Sequence, residues 1–123
     1  SSYLSEEEKV ECVWMYVEKI SDCEIIDNRA HFQKEYESCL SQGAINEGKA
    51  TVCMDLSDKE RQNNCVTQVA LKHDNPDACE RLDFPLAAKE DCFVAYALAK
   101  NDAKVCKRLV DLDTRKECEE ATA

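Results

Sequence analysis

Glycine and proline are nearly missing from this chain, with two of each in 123 residues, and aromatic side chains make up only 7%. Loop-rich knottins and many-stranded β domains need turn residues in quantity, so the scarcity excludes both and favours long helical runs. Few aromatics together with 34% charged residues argue against one large core. No apolar run approaches the roughly 20 residues of a membrane span. No C-x-x-C pair occurs; the closest cysteines are Cys12 and Cys23. Zinc and iron–sulfur sites take ligands from closely spaced cysteines, so neither a metal site nor a cofactor is expected. With no βαβ pattern either, thioredoxin-like redox chemistry has no foundation. A glycine-rich phosphate loop is also lacking. Histidine is limited to His31, read as a surface residue near a helix start, and His73, read as a solvated helix end. The acids Glu8 and Glu11 beside Cys12 disfavour a thiolate, so a Cys–His nucleophile is not expected. No catalytic residues stand out, and the chain is read as not an enzyme.

What the chain has in excess is acid and cysteine. Its formal net charge is −10. Nucleic-acid backbones and anionic membrane surfaces would repel it, so neither is an expected partner. The 44% hydrophobic content is too high for a disordered chain. Nine cysteines imply disulfides, and disulfides imply an extracytoplasmic setting, secreted or at the cell surface. The alternative is the cytosol of a hyperthermophile, where intracellular disulfides are common. The opening SSYLSEEEK is acidic and unlike a signal peptide, and reads as a mature form or as a fragment of something longer.

The cysteines repeat in two kinds. The first kind, Cys12, Cys39, Cys65, Cys92 and Cys118, steps by 27, 26, 27 and 26 residues. The second kind, Cys23, Cys53, Cys79 and Cys106, steps by 30, 26 and 27. Every cysteine of the second kind has an apolar residue at +3: Ile26, Leu56, Leu82 and Leu109. Those of the first kind tend to carry apolar or small residues at +1, +4 and +5, as in Val66, Val69, Ala70 and Phe93, Tyr96, Ala97. A fixed period of this size marks stacked helical units. The expected fold is all-α: an array of alternating long and short antiparallel helices stapled by disulfides, either α-solenoid-like or a compact bundle. One domain covers residues 1–123, with an irregular N-terminal part over 1–49 and regular repeats over 50–123.

Along the chain, Ser5 and Glu8 form a capping box for a helix over about 5–20, with Val10, Val13, Trp14, Val17 and Ile20 on one stripe. A second long helix is expected over about 28–40. Gly43 and Gly48 then suggest a looser turn over 41–49, a candidate hinge. Ser57 with Glu60 reads as another capping box, Asn75-Pro76 as a start with proline at the first helical position, Asn101-Asp102 as a further cap and Asp113 as the last. Asp83-Phe84-Pro85 ends one helix and starts another. Short helices of two or three turns alternate with long ones of about four. Trp14, Tyr16, Phe32, Tyr36, Phe93 and Tyr96 read first as packing residues and second as the lining of a ligand pocket between helices.

Bridged residues in a helical hairpin should lie at similar distances from the turn. Pairing each second-kind cysteine with the following first-kind one leaves a height mismatch of about 4 Å, against about 6 Å for the opposite choice. Both fall within the slack of disulfide geometry. The better-matched scheme is Cys23–Cys39, Cys53–Cys65, Cys79–Cys92 and Cys106–Cys118. It leaves Cys12 as a free thiol or as an intermolecular bridge in a covalent dimer.

The repeat core, C-x-x-[LI], then a polar linker, then basic-x-x-C, reads Cys79-Glu80-Arg81-Leu82 with Lys89-Glu90-Asp91-Cys92, and Cys106-Lys107-Arg108-Leu109 with Arg115-Lys116-Glu117-Cys118. Over residues 53–118 it resembles the archaeal-type cysteine-repeat helical proteins; Tyr36 departs from the pattern at the basic position before Cys39. The resemblance implies an exported helical array and carries no activity. The expected function is a non-enzymatic extracytoplasmic structural or protein-interaction module of a surface, envelope or filament, bound to a protein partner or to itself. The alternative is a small-ligand carrier with an aromatic-lined pocket.

Overall fold

The computed structural model describes residues 8, 17–26, 31–82 and 86–122. They are helical and contain no strand. We number the helices α1 (Ile20–Ile25), α2 (Gln33–Glu47), α3 (Ala50–Cys53), α4 (Lys59–Lys72), α5 (Pro76–Arg81), α6 (Leu86–Lys100), α7 (Ala103–Cys106) and α8 (Leu112–Ala121). Long helices of 10 to 15 residues alternate with short ones of 4 to 6, and α1 and α5 are 3-10 helices. The short helices are therefore one to two turns, not two or three. Each stops because the apolar residue at +3 leaves the helix and turns inward. Ile26, Leu56, Leu82 and Leu109 are all buried. Each donates its backbone N–H to the carbonyl of its own cysteine at 3.1–3.2 Å. Burying each such side chain is worth about 1.5–3 kcal/mol.

The junctions from long to short helix are the same at three places. Gly48, Asp74 and Asn101 lie 26 and 27 residues apart, and all adopt positive φ, at 74°, 50° and 52°. The next residue in each case, Lys49, Asn75 or Asp102, donates its N–H to the carbonyl of Ala44, Ala70 or Ala97 at 2.9 Å. This is a Schellman ending. The three alanines have no exposed surface. A larger residue there would have nowhere to go in a close-packed interior.

Long helices pack on their neighbours in sequence: α2 on α4, α4 on α6, and α6 on α8, with α5 against both α4 and α6. Nearest-neighbour contact of this kind is what a stacked array predicts. The main core runs continuously from Ala44 to Cys118, with Val66, Val69, Leu82 and Phe93 among its fully buried side chains. A second, smaller cluster holds Cys23, Ile26 and Cys39, with Val17, Phe32 and Tyr36 packed against it.

The structure differs from the sequence reading at several boundaries. Residues 41–47 are not a loose turn or hinge but the second half of α2. Gly43 is buried there because α1 crosses over it: a Cβ would lie 2.8 Å from the backbone N and Cα of Ile20. Only a residue without a side chain permits that approach. Gly48 is the left-handed cap that ends α2. Residues 17–19 are not helical, so no helix over 5–20 reaches Ile20, which instead opens α1; of the rest of that expected helix, only Glu8 is described, and it is helical. The helix expected over 28–40 begins at Gln33 and runs on to Glu47. Asp58, not Ser57, caps α4 by accepting from Glu60 N–H at 3.0 Å. Asp111, not Asp113, caps α8. The turn expected at 83–85 lies outside the described residues.

Candidate functional site

Four disulfides join Cys23 to Cys39, Cys53 to Cys65, Cys79 to Cys92 and Cys106 to Cys118. Each links a short helix to the long helix that follows it, with Cα atoms 5.5–5.7 Å apart. All eight sulfurs belong to buried residues. Cys12, Trp14 and Tyr16 lie outside the described residues.

The remaining aromatics are not gathered around one cleft. Phe93 and Tyr96 are buried in the main core. Phe32 and Tyr36 pack on the N-terminal cluster. The face of Phe93 also carries the Arg108 guanidinium, 4.7 Å from the ring centroid. Arg108 in turn binds Asp77 at 2.7 Å and Glu80 at 2.9 Å, tying α5 to the segment just after α7. His73 is exposed, as expected for a helix end, but its ring is engaged: Nε2 donates to the Ile45 carbonyl at 2.7 Å.

Sequence reasoning missed two buried glutamates, Glu37 and Glu90, each two residues before a bridged cysteine. They are 6% and 7% exposed. Glu37 Oε1 accepts from Ser57 N–H at 2.6 Å, and Oε2 accepts from the Ser57 hydroxyl at 2.8 Å and the Gln33 amide at 3.0 Å. Burial pushes the Glu37 pKa up. The Ser57 amide, the Ser57 hydroxyl, the Gln33 amide and the Arg61 charge outweigh it and hold the carboxyl below its ordinary 4.5. The carboxylate thereby locks the segment after α3 onto α2. A cleft of about 460 Å³ lies alongside, lined by Val17, Ile26, Glu37, Gln42, Leu56 and Arg61 among others. Of the aromatics described above, none lines it.

Glu90 makes the equivalent clamp between α6 and the segment after α7. Its Oε1 accepts from the backbone N–H groups of Val110 at 2.9 Å and Asp111 at 3.0 Å. Its Oε2 has no hydrogen-bond partner among the described residues. A cleft of about 270 Å³ lies beside Glu90, lined by Leu86, Ala87, Glu90, Asp91, Asp111 and Thr114. The signal for both glutamates was the same residue type at the same place in repeats 53 positions apart.

Among the described residues no group of three His, Cys, Asp or Glu side chains is placed to hold a metal ion. No helix among them is long and apolar enough to cross a membrane. Comparison with family models, with curated proteins and with solved structures finds no match to this chain.

Proposed function

We propose that the chain is a non-enzymatic extracytoplasmic module, a structural or protein-interaction component of a surface, envelope or filament. The observation that carries this reading is the stapling: one buried intramolecular disulfide per repeat. Bridges of this number persist in oxidising compartments, where they replace the large core that units this thin cannot form. Repeat arrays present an extended surface suited to binding other proteins. Leu86, Val110 and Leu112 are exposed apolar side chains on that surface. The resemblance to archaeal-type cysteine-repeat helical proteins points the same way. On this reading Cys12, the ninth cysteine, is available to bridge two subunits.

The test is fractionation of the native host with immediate thiol trapping. The expected result is protein outside the cytoplasm with the eight bridged cysteines protected from alkylation. Protein in the cytoplasm with those cysteines alkylated contradicts the reading. Cytoplasmic but fully oxidised protein replaces it with the hyperthermophile alternative.

A further inference from the structure

Residues 33–61 and 86–114 are two copies of one unit, 53 positions apart. Glu37 corresponds to Glu90, Ser57 to Val110 and Asp58 to Asp111. In the first copy the carboxylate is saturated: Gln33 and Ser57 donate to it, and the Arg61 charge stands near it. In the second copy the places of Gln33 and Arg61 are taken by Leu86 and Thr114. Leu86 has no donor, and the Thr114 hydroxyl is spent on Asp111 Oδ2 at 2.8 Å. Glu90 Oε2 is consequently left buried and without a partner among the described residues, on a residue that is 7% exposed and lines a 270 Å³ cleft. A buried carboxylate oxygen without a donor is costly unless something supplies one.

We infer that the Glu90 cleft receives the guanidinium of an arginine side chain from a partner protein, which supplies from outside what Gln33 and Arg61 supply to Glu37 from within. This rests on reading the chain as a protein-interaction module. The chemistry of the cleft selects the occupant. Glu90, Asp91 and Asp111 line it and call for a cation. They are not placed to share a metal ion. A guanidinium is planar, is weakly hydrated and donates as a fork, so it suits a dry carboxylate better than an ammonium does. Leu86 is 48% exposed at the cleft, and Val110 and Leu112, either side of Asp111, are 69% and 74% exposed. These give the methylene stem and the apolar neighbours of the arginine a surface to cover. The net charge of −10 steers a basic partner toward the chain.

The probe is a short amidated peptide, Leu-Arg-Leu, added to the intact oxidised protein while its backbone amide resonances are followed by NMR. Saturable shifts of the Val110 and Asp111 amides are expected, since both donate to Glu90. The same peptide with citrulline, the neutral isostere of arginine, should bind about tenfold more weakly or worse. Glu90→Gln should produce the same loss, while Glu37→Gln leaves peptide binding unchanged. Citrulline binding within about twofold of arginine overturns the proposal, as does the absence of saturable shifts at Val110 and Asp111. Agmatine binding as tightly as the peptide overturns the protein source in favour of a free alkylguanidinium. The wild-type comparison of arginine with citrulline stands even if Glu90→Gln fails to fold. Fractionation with thiol trapping reads the module hypothesis separately, so failure at this cleft and failure of that hypothesis give different results.

Discussion

Replacing Glu37 by glutamine tests whether a buried carboxylate clamps neighbouring repeats together. The substitution keeps the shape and one carbonyl acceptor but removes the charge, and its amide places donors where Glu37 receives the Ser57 hydroxyl and the Gln33 amide. Hydrogen bonds to a charged group contribute about 1.5–3 kcal/mol, against about 1 for neutral pairs. The loss of charge and the mismatched amide together should cost about 2 kcal/mol at neutral pH. For a chain of this length that is about 8 °C in Tm. The sign of the pH dependence follows from the depressed pKa. Glu37 titrates below 4.5 in the folded protein, so its contribution is complete above that value and is lost as pH falls through the lower folded-state pKa. Urea unfolding of the oxidised proteins, followed by far-UV circular dichroism, should therefore show a gap between wild type and Glu37→Gln that is full at neutral pH and shrinks as the pH is taken below 4.5. A gap that stays constant or widens on acidification refutes the argument, because the charge would then not be the source of the effect.

Other substitutions probe the helix crossing, the helix ends and the bridges separately. Gly43→Ala drives a methyl into the α1 backbone at 2.8 Å and should cost about 1–3 kcal/mol by overpacking, read as a lower urea midpoint; a neutral result would mean α1 does not cross there. Asn101→Gly relieves a left-handed residue at φ 52° and should stabilise by about 0.5–1 kcal/mol in the same assay. Removing the central bridge with Cys79→Ala and Cys92→Ala opens a loop with a sequence separation of 13 and should cost about 3 kcal/mol. Removing Cys106–Cys118 instead should raise amide hydrogen exchange chiefly in α7 and α8, because an array loosens locally at its end.

The two kinds of cysteine were legible because a covalent bridge demands a fixed place in each repeat, and the +3 apolar residue follows from the same geometry. The fully buried Ala44, Ala70 and Ala97 were visible as small residues at +5, though not as the acceptors of a repeated Schellman ending. Asp74 and Asn101 gave no warning of positive φ, since only comparison with Gly48 at the same place in the period reveals it. Gly43 misled because glycine reads as a loop signal, whereas here it lets one helix backbone lie on another. The caps at Asp58 and Asp111 were displaced for two reasons. Ser57 is engaged by Glu37, and the whole of α8 begins two residues earlier than an Asp113 cap allows. Glu37 and Glu90 were lost among 26 acids, because composition reads a glutamate on a charged helix as solvated. Their roles depend on backbone N–H groups 20 residues away, which only the folded repeat brings within reach.

Each repeat is closed on itself by its own bridge. Proteolysis of the non-reduced protein after thiol alkylation, with mass mapping of the linked peptides, tests it directly. The internal linkages expected are Cys23–Cys39, Cys53–Cys65, Cys79–Cys92 and Cys106–Cys118. Recovery of Cys65 linked to Cys79, or of Cys92 linked to Cys106, would contradict it, since the bridges would then join one repeat to the next.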